Sequence, residues 1–346
     1  MNIKKFKTAI LTMTLGVILT ATVGCGDDVH PGKFVALTNV GNNVIYSEDG
    51  INWSEPTELK VESISSNWDS VCYGNGTFVA TGKDGSNNSY SAHSTNGSKW
   101  DPTPSGLSNN NWYICYGNGK FVAAGSQEVA YSPDGKNWTQ LLPGSSKLTN
   151  SYAMVASICY GNGKFVAVTY NATAIHQIIY SKDGITWTQG TLAANSKLES
   201  VCYGKGRFVA VGESPTKAVY STDGNTWTVP SPMTLTINPV SVCYGNGKFI
   251  AIARLGDTEY SADGIHWTTG EHLYGNLTSV QWQSICYGDG KFVAVGYSTG
   301  PTNPTNASII VYSTDGDKWI DVPTSSLPDY LNSVTYGLDS DIFGFL

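Results

Sequence analysis

Hydrophobic and polar positions along the chain fall into short runs that repeat as one unit. Between Ser157 and Trp187 the unit reads Ser-Ile-Cys-Tyr-Gly-Asn-Gly-Lys-Phe-Val-Ala-Val, a variable stretch, then Ile-Tyr-Ser-Lys-Asp-Gly-Ile-Thr-Trp. β-Branched and aromatic runs joined by Asn-Gly predict a hairpin, because that turn takes the positive φ angles that match strand twist. The Asp-Gly segment predicts a second hairpin, with Asp bonding its own turn backbone and Gly in the left-handed position. Each unit therefore predicts four antiparallel strands, first to fourth in chain order. The closing Trp recurs at 53, 100, 138, 187, 227, 267 and 319, about 44 residues apart on average, the period of one propeller blade.

The chain's two ends complete each other. The first unit opens on a second strand, Lys33 to Leu37, whereas the last residues supply a lone first strand, Ser333 to Gly337. Pairing them closes a ring and removes the sheet edges that invite aggregation. The expected fold is all-β: a single seven-bladed β-propeller of four-stranded antiparallel blades over residues 32–346, closed by its N- and C-terminal strands. Ile342 to Leu346 is a second candidate for the place of Lys33 to Leu37.

The leader and the charge change the picture next. Lys4, Lys5 and Lys7 precede an apolar run from Ala9 to Val23, the layout of a secretory signal peptide and too short for a membrane span. The ending Thr22-Val23-Gly24-Cys25 resembles the lipobox of bacterial lipoproteins, with Thr22 where Leu is usual. The resemblance implies removal of residues 1–24, lipidation of Cys25 and a short tether over 25–31. It places the protein at the cell envelope or surface, with ordinary secretion as the alternative. Gly26 after the Cys favours the outer membrane where there are two. Acids outnumber bases, 27 to 20, and loss of the leader lysines widens the gap. Such a surface repels nucleic acid and leaves the lipid as the membrane contact.

The other six cysteines, Cys72, Cys115, Cys159, Cys202, Cys243 and Cys286, occupy one register in six units. Equivalent positions on separate blades do not point at each other, so reduced thiols acting as small apolar fillers are expected.

Ser47-Glu48-Asp49-Gly50-Ile51-Asn52-Trp53 and its counterparts resemble the Asp-box (BNR) repeat of sialidase-like propellers, with His93 and Asn96 departing in the second unit. The resemblance implies that Asp49, Asp134, Asp183, Asp223, Asp263 and Asp315 stabilise turns away from any active site. It does not carry sialidase chemistry: three arginines would clamp the substrate carboxylate, and the chain has only Arg207 and Arg254. The five histidines lack metal-ligand spacing. No cofactor, metal or catalytic set is expected.

With two tight turns per unit, the variable connections emerge together on the opposite face, where function usually resides. Ten aromatics outside the repeat pattern map there. The candidate ligand rim comprises Trp68, Asp69, Trp112, Tyr152, Glu199, Trp282 and Tyr330, aromatic faces beside carboxylates. Trp68 and Trp282 share phase with the cysteines, where Leu198 and Leu331 stand in other units, so packing between blades is the competing expectation; Trp112 has the opposite phase. The expected function is a monomeric binding or scaffolding module for a glycan or protein ligand. The alternatives are a carbohydrate-active enzyme using loop carboxylates and a structural assembly factor.

Overall fold

The computed structural model describes residues 32–60, 66–84, 86, 88–107, 111–125, 128–141, 154–170, 176–192, 196–273, 279–299, 307–323 and 327–337. The leader, Cys25, Tyr152 and Ile342 to Leu346 lie outside them. The described residues belong to one compact unit, Pro31–Ser340.

The units fold as expected into seven antiparallel blades. Blade 4 is representative, with Met154–Gly161, Lys164–Tyr170, His176–Ser181 and Thr188–Gln189 hydrogen-bonded in that order. In blade 1, Lys33–Thr38 pairs with Asn43–Ser47 on one side and Leu331–Gly337 on the other, Phe34 opposite Tyr336. The N- and C-terminal strands thus close the ring. Blade 5 is the irregular one, its fourth strand held to Tyr220 by the antiparallel bridge with Thr228. Among the described residues there is no helix.

Two repeated devices lock blade to blade. The Tyr-Gly that ends each first strand is the tighter. A Cβ placed on Gly161 would lie 2.0 Å from Cγ of Tyr203 in the next blade, and one on Gly245 would lie 2.0 Å from Cγ of Tyr287. The series returns to its start at Gly337, which lies against Tyr73. Glycine is required because the neighbour's ring occupies the space a side chain would need. The same Tyr also tilts against the Phe of its own second strand, as Tyr203 does on Phe208 at 4.8 Å.

The second device joins the turns. The Lys that opens a second strand donates to a turn carbonyl of the next blade: Lys33 to Asn96, Lys120 to Asp183, Lys164 to Asp223. Its ammonium also sits over a third-strand tyrosine, Lys120 at 5.3 Å from the Tyr131 ring.

Within each Ser-x-Asp-Gly turn the carboxylate acts as drawn from sequence. Asp183 Oδ1 accepts from the amides of Ile185 and Thr186 at 2.8 and 2.7 Å and from the Ser181 hydroxyl at 2.9 Å. Asn96 does the same work in blade 2, accepting from Ser98 and Lys99 amides at 3.0 Å each. An oxygen acceptor is what the turn needs, and a formal charge is not. Burial pulls the Asp183 carboxyl upward, but the hydrogen bonds outweigh it and hold it below its ordinary value.

The six cysteines are free, half-buried or buried, and burial raises every thiol.

Candidate functional site: the mouth of the central channel

The first strands form the innermost layer, so one edge of each faces the ring's axis with no sheet partner. Such an edge leaves backbone N–H groups to be satisfied by other means. Serine supplies the partner: Ser70, Ser157, Ser200, Ser241 and Ser284 each accept through Oγ an amide of the next blade. The donors are the N–H groups of Ile114, Val201, Val242, Ile285 and Val334, at 3.1 to 3.3 Å. This ring of serines walls a cavity of about 220 Å³ on the axis, lined by all seven first strands.

Just before each of these serines the register slips by one residue. The pairing jumps from Trp68 to Ser70, from Leu198 to Ser200 and from Trp282 to Ser284, and equivalently in blades 1, 4 and 6. The bulged residue is released from the ladder and turned to the axis. Opposite the bulge stand Gly82, Gly212 and Gly296, where a Cβ would collide with backbone at 1.8 to 2.6 Å. The residues so displayed are Asp69, Ala156, Glu199, Val240, Gln283 and Asn332. Blade 3 alone pairs without a slip, and there Tyr113 comes to the cavity in the serine's place.

The missing bulge corrects the expectation for Trp112. Counted by sequence, Trp112 has the opposite phase to Trp68 and Trp282; with one residue fewer in its strand it occupies the same position. All three are completely buried. Trp68 packs with Leu37, Leu59 and Ala80 and donates Nε1 to Leu59 O at 3.3 Å, Trp112 packs with Leu107 and Ala123, and Trp282 with Leu273 and Ile252. They are not on the rim: Trp68 and Trp282 stand before a bulge and point between blades, as Leu198 and Leu331 do, and Trp112 reaches the same buried position without one. Tyr330 is half-buried with φ of 60° and its ring meets Tyr297 edge-on at 5.0 Å. Of the candidate rim residues that are described, Asp69 and Glu199 line the cavity.

Asn332 and Gln283 were missed, and Tyr113 was counted among the ten aromatics but left out of the rim, although a signal existed. In a first strand otherwise constant from unit to unit, the position before Ser reads Asp, Ala, Glu, Val, Gln, Asn.

The electrostatics of the mouth set it apart. Asp69 Oδ2 and Asn332 Oδ1 are both buried without a hydrogen-bond partner. The Asn332 amide donates Nδ2 to Trp68 O at 3.0 Å, which fixes its orientation and seats it beside Asp69. Burial raises the Asp69 carboxyl to about 7, opposed by Lys83. Burial likewise raises Glu199, with Glu213 adding to the rise and Arg254 and Lys197 opposing it. Burial pushes Tyr113 up to about 12, aided by Asp69, Tyr170 and Glu199. Such a group of acceptors can receive a donor-rich ligand and could exchange protons near neutrality. Among the described residues no three His, Cys, Asp or Glu side chains are grouped to hold a metal ion.

Solved structures share this architecture. They include YCF48 bound to D1 peptide (15% identity, TM-score 0.56, covering 78% of this chain and 88% of that one). YCF48 from Cyanidioschyzon merolae follows at 14% identity and TM-score 0.53, over 77% of this chain and 88% of that one. Catalytically inactive virginiamycin B lyase from Staphylococcus aureus with quinupristin shows 12% identity and TM-score 0.58, over 91% and 98%. No protein-family model matches the chain, and no curated protein is significantly similar to it. At these identities the likeness is one of fold, and the chain is a seven-bladed β-propeller.

Proposed function

We propose that the chain is an exported, lipid-anchored propeller that binds a protein segment at the mouth of its central channel. The observation that carries this reading is the pair of buried, unpartnered acceptors, Asp69 Oδ2 and Asn332 Oδ1, on side chains that line the cavity. Unmet buried acceptors are costly, and a ligand bringing donors removes the cost. A peptide is favoured over a glycan because the tryptophans that would stack on sugar rings are buried. The fold also serves peptide binding elsewhere, in YCF48 with its D1 peptide.

Screening the folded chain on peptide and glycan arrays tests the site. Peptide hits should disappear in Ala156→Trp, which fills the cavity from a small lining residue, while the melting temperature stays near wild type. Hits that survive the plug would move binding elsewhere and overturn the reading.

The address is part of the proposal. Acylation at Cys25 makes the protein fractionate with membranes, and Cys25→Ser should release it; unchanged fractionation would count against the anchor. We read the Ser-x-Asp-Gly-x-x-Trp segments as Asp-box turns, a reading supported by their shared hydrogen bonds and by Gly at positive φ, +74° in Gly184.

A second reading, a carbohydrate-active enzyme, is favoured by one observation: two carboxyls raised by burial, Asp69 and Glu199, line one cavity. Pairs of this kind serve as acid and base in glycoside hydrolysis. Aryl-glycoside hydrolysis abolished by Asp69→Asn would replace the binding reading with this one.

A further inference from the structure

We propose that the channel mouth recognises the ammonium group of a peptide, seated between the Asp69 carboxylate and the Asn332 amide oxygen. The inference rests on the binding reading above and adds the chemistry of what enters.

What the cavity lacks is a cation: its donors are neutral hydroxyls and amides, and its charged groups are carboxylates. Asn332 has committed Nδ2 to Trp68 O, which leaves Oδ1 as an acceptor directed away from that bond. Asp69, whose Oδ2 is likewise unpartnered, follows Trp68 in the chain and lines the same cavity from blade 2. Gln283 and Glu199 line the same space, and the serine oxygens of its wall already accept amides. An ionised carboxylate only accepts, whereas an ammonium carries three donors and no acceptor.

The nearby bases do not fill this role. Lys83 donates to Asn111 Oδ1 at 2.6 Å, and Lys197 pairs with Glu213 at 3.2 Å. Arg254 acts on Glu199, on the far side of the ring from Asp69. None of the three lines the cavity, while two carboxyls, an amide pair and the Tyr113 phenol do. An anionic ligand would meet carboxyls at the axis, so the sign of charge is set.

Size narrows the class. A cavity of about 220 Å³ lies below the ~300–1,000 Å³ of drug-sized sites. It admits one extended side chain or a chain terminus and excludes a folded element. A lysine side chain and a peptide N-terminus present the same group, so the test separates them.

Proton linkage follows from the site. The Asp69 carboxyl, held near 7 by burial with Lys83 opposing, must be ionised to take the cation. Tyr113, which burial and Asp69 push up to about 12, and Glu199 share the cavity lining with it, and the Tyr170 phenol is raised by burial and by Glu199. Binding should therefore release a proton near neutrality and weaken as the pH falls from 8 to 6.

Calorimetry on the full-length chain at pH 8 tests this with three peptides. They are acetyl-Gly-Lys-Gly-amide, Gly-Gly-Gly-amide with a free N-terminus, and neutral acetyl-Gly-norleucine-Gly-amide. At least one ammonium peptide should bind tenfold or more tightly than the norleucine peptide, and which one does so tells side chain from terminus. Asp69→Asn, isosteric and free of a buried charge, should fold normally and cost that peptide at least tenfold in affinity. Equal binding of the norleucine peptide, affinity unchanged in Asp69→Asn, or no ammonium peptide bound at millimolar concentration would overturn the inference. If peptide hits from the arrays are still lost in Ala156→Trp, the mouth stands as a binding site and only the ammonium assignment falls. If they are kept, the mouth itself is wrong.

Discussion

The two ends of each first strand are built on opposite terms. At the Tyr-Gly end the blades repeat one another: ring against glycine in all seven, lysine to a turn carbonyl of the next blade in most, and an Asp or Asn oxygen to the turn amides. At the other end, one bulge later, the residue turned to the axis differs in each blade that has one, and two of its polar atoms are left unmet. Repetition marks where the ring is held together. Variation at a position released from the ladder marks where it can be specialised at little structural cost.

The comparison predicts how unequal the two ends are. The largest effect should come from Gly245→Ala, whose Cβ would fall 2.0 Å from Tyr287 Cγ. Overpacking against a ring that has no room to move should cost about 3 kcal/mol or more, read as a fall in the urea midpoint. A loss under about 1 kcal/mol would mean that the seam between blades is looser than drawn.

Asp183→Ala should be milder, about 1 to 2 kcal/mol for three hydrogen bonds around one turn, with peptide binding untouched. Its carboxyl is held below the ordinary value by those bonds, so its contribution is present above the unfolded pKa and is lost as pH falls through the folded one. The deficit of the variant should therefore shrink in strong acid to the part that a neutral oxygen acceptor, such as Asn96 in blade 2, still supplies. A constant deficit at all pH values would show that packing, and not the carboxylate, stabilises the turn.

Asp69 carries the opposite sign. Its folded pKa is raised to about 7, so the stability linked to its proton is complete below the unfolded carboxylate range and is lost as pH rises through 7. Asp69→Asn should match wild type near pH 4 and melt higher at pH 8. Equal melting at both would contradict a desolvated carboxyl at the mouth. Ser241→Ala, which frees one Ile285 amide at the channel wall, should cost least, about 0.5 to 1.5 kcal/mol.

The period of Trp, the Asn-Gly and Asp-Gly turns and the unmatched end strands made the propeller and its closure legible in sequence. Those signals are local, and the turn chemistry dictates them. The interior was harder to read. Tyr-Gly looks like a turn flank until the next blade is placed beside it, because the reason for the glycine lies about 40 residues away in Tyr203 or Tyr287. The mouth was half legible: Asp69 and Glu199 were marked by residue type, whereas Asn332 and Gln283 depend on a bulge that no propensity announces. Trp112 misled for the same reason. Counting by twos assumes an unbroken ladder, and its blade lacks the extra residue that every other blade has.

The most direct test of the account is the titration of the Asp69 side-chain carboxyl by carbon-13 NMR, assigned by its disappearance in Asp69→Asn. The account predicts a midpoint near 7 in the free chain, moved down by the ammonium peptide that binds and unmoved by the norleucine peptide. A midpoint in the ordinary carboxylate range, indifferent to both peptides, would mean that the carboxyl is already solvated or paired and that the mouth holds no unmet acceptor for a ligand to satisfy.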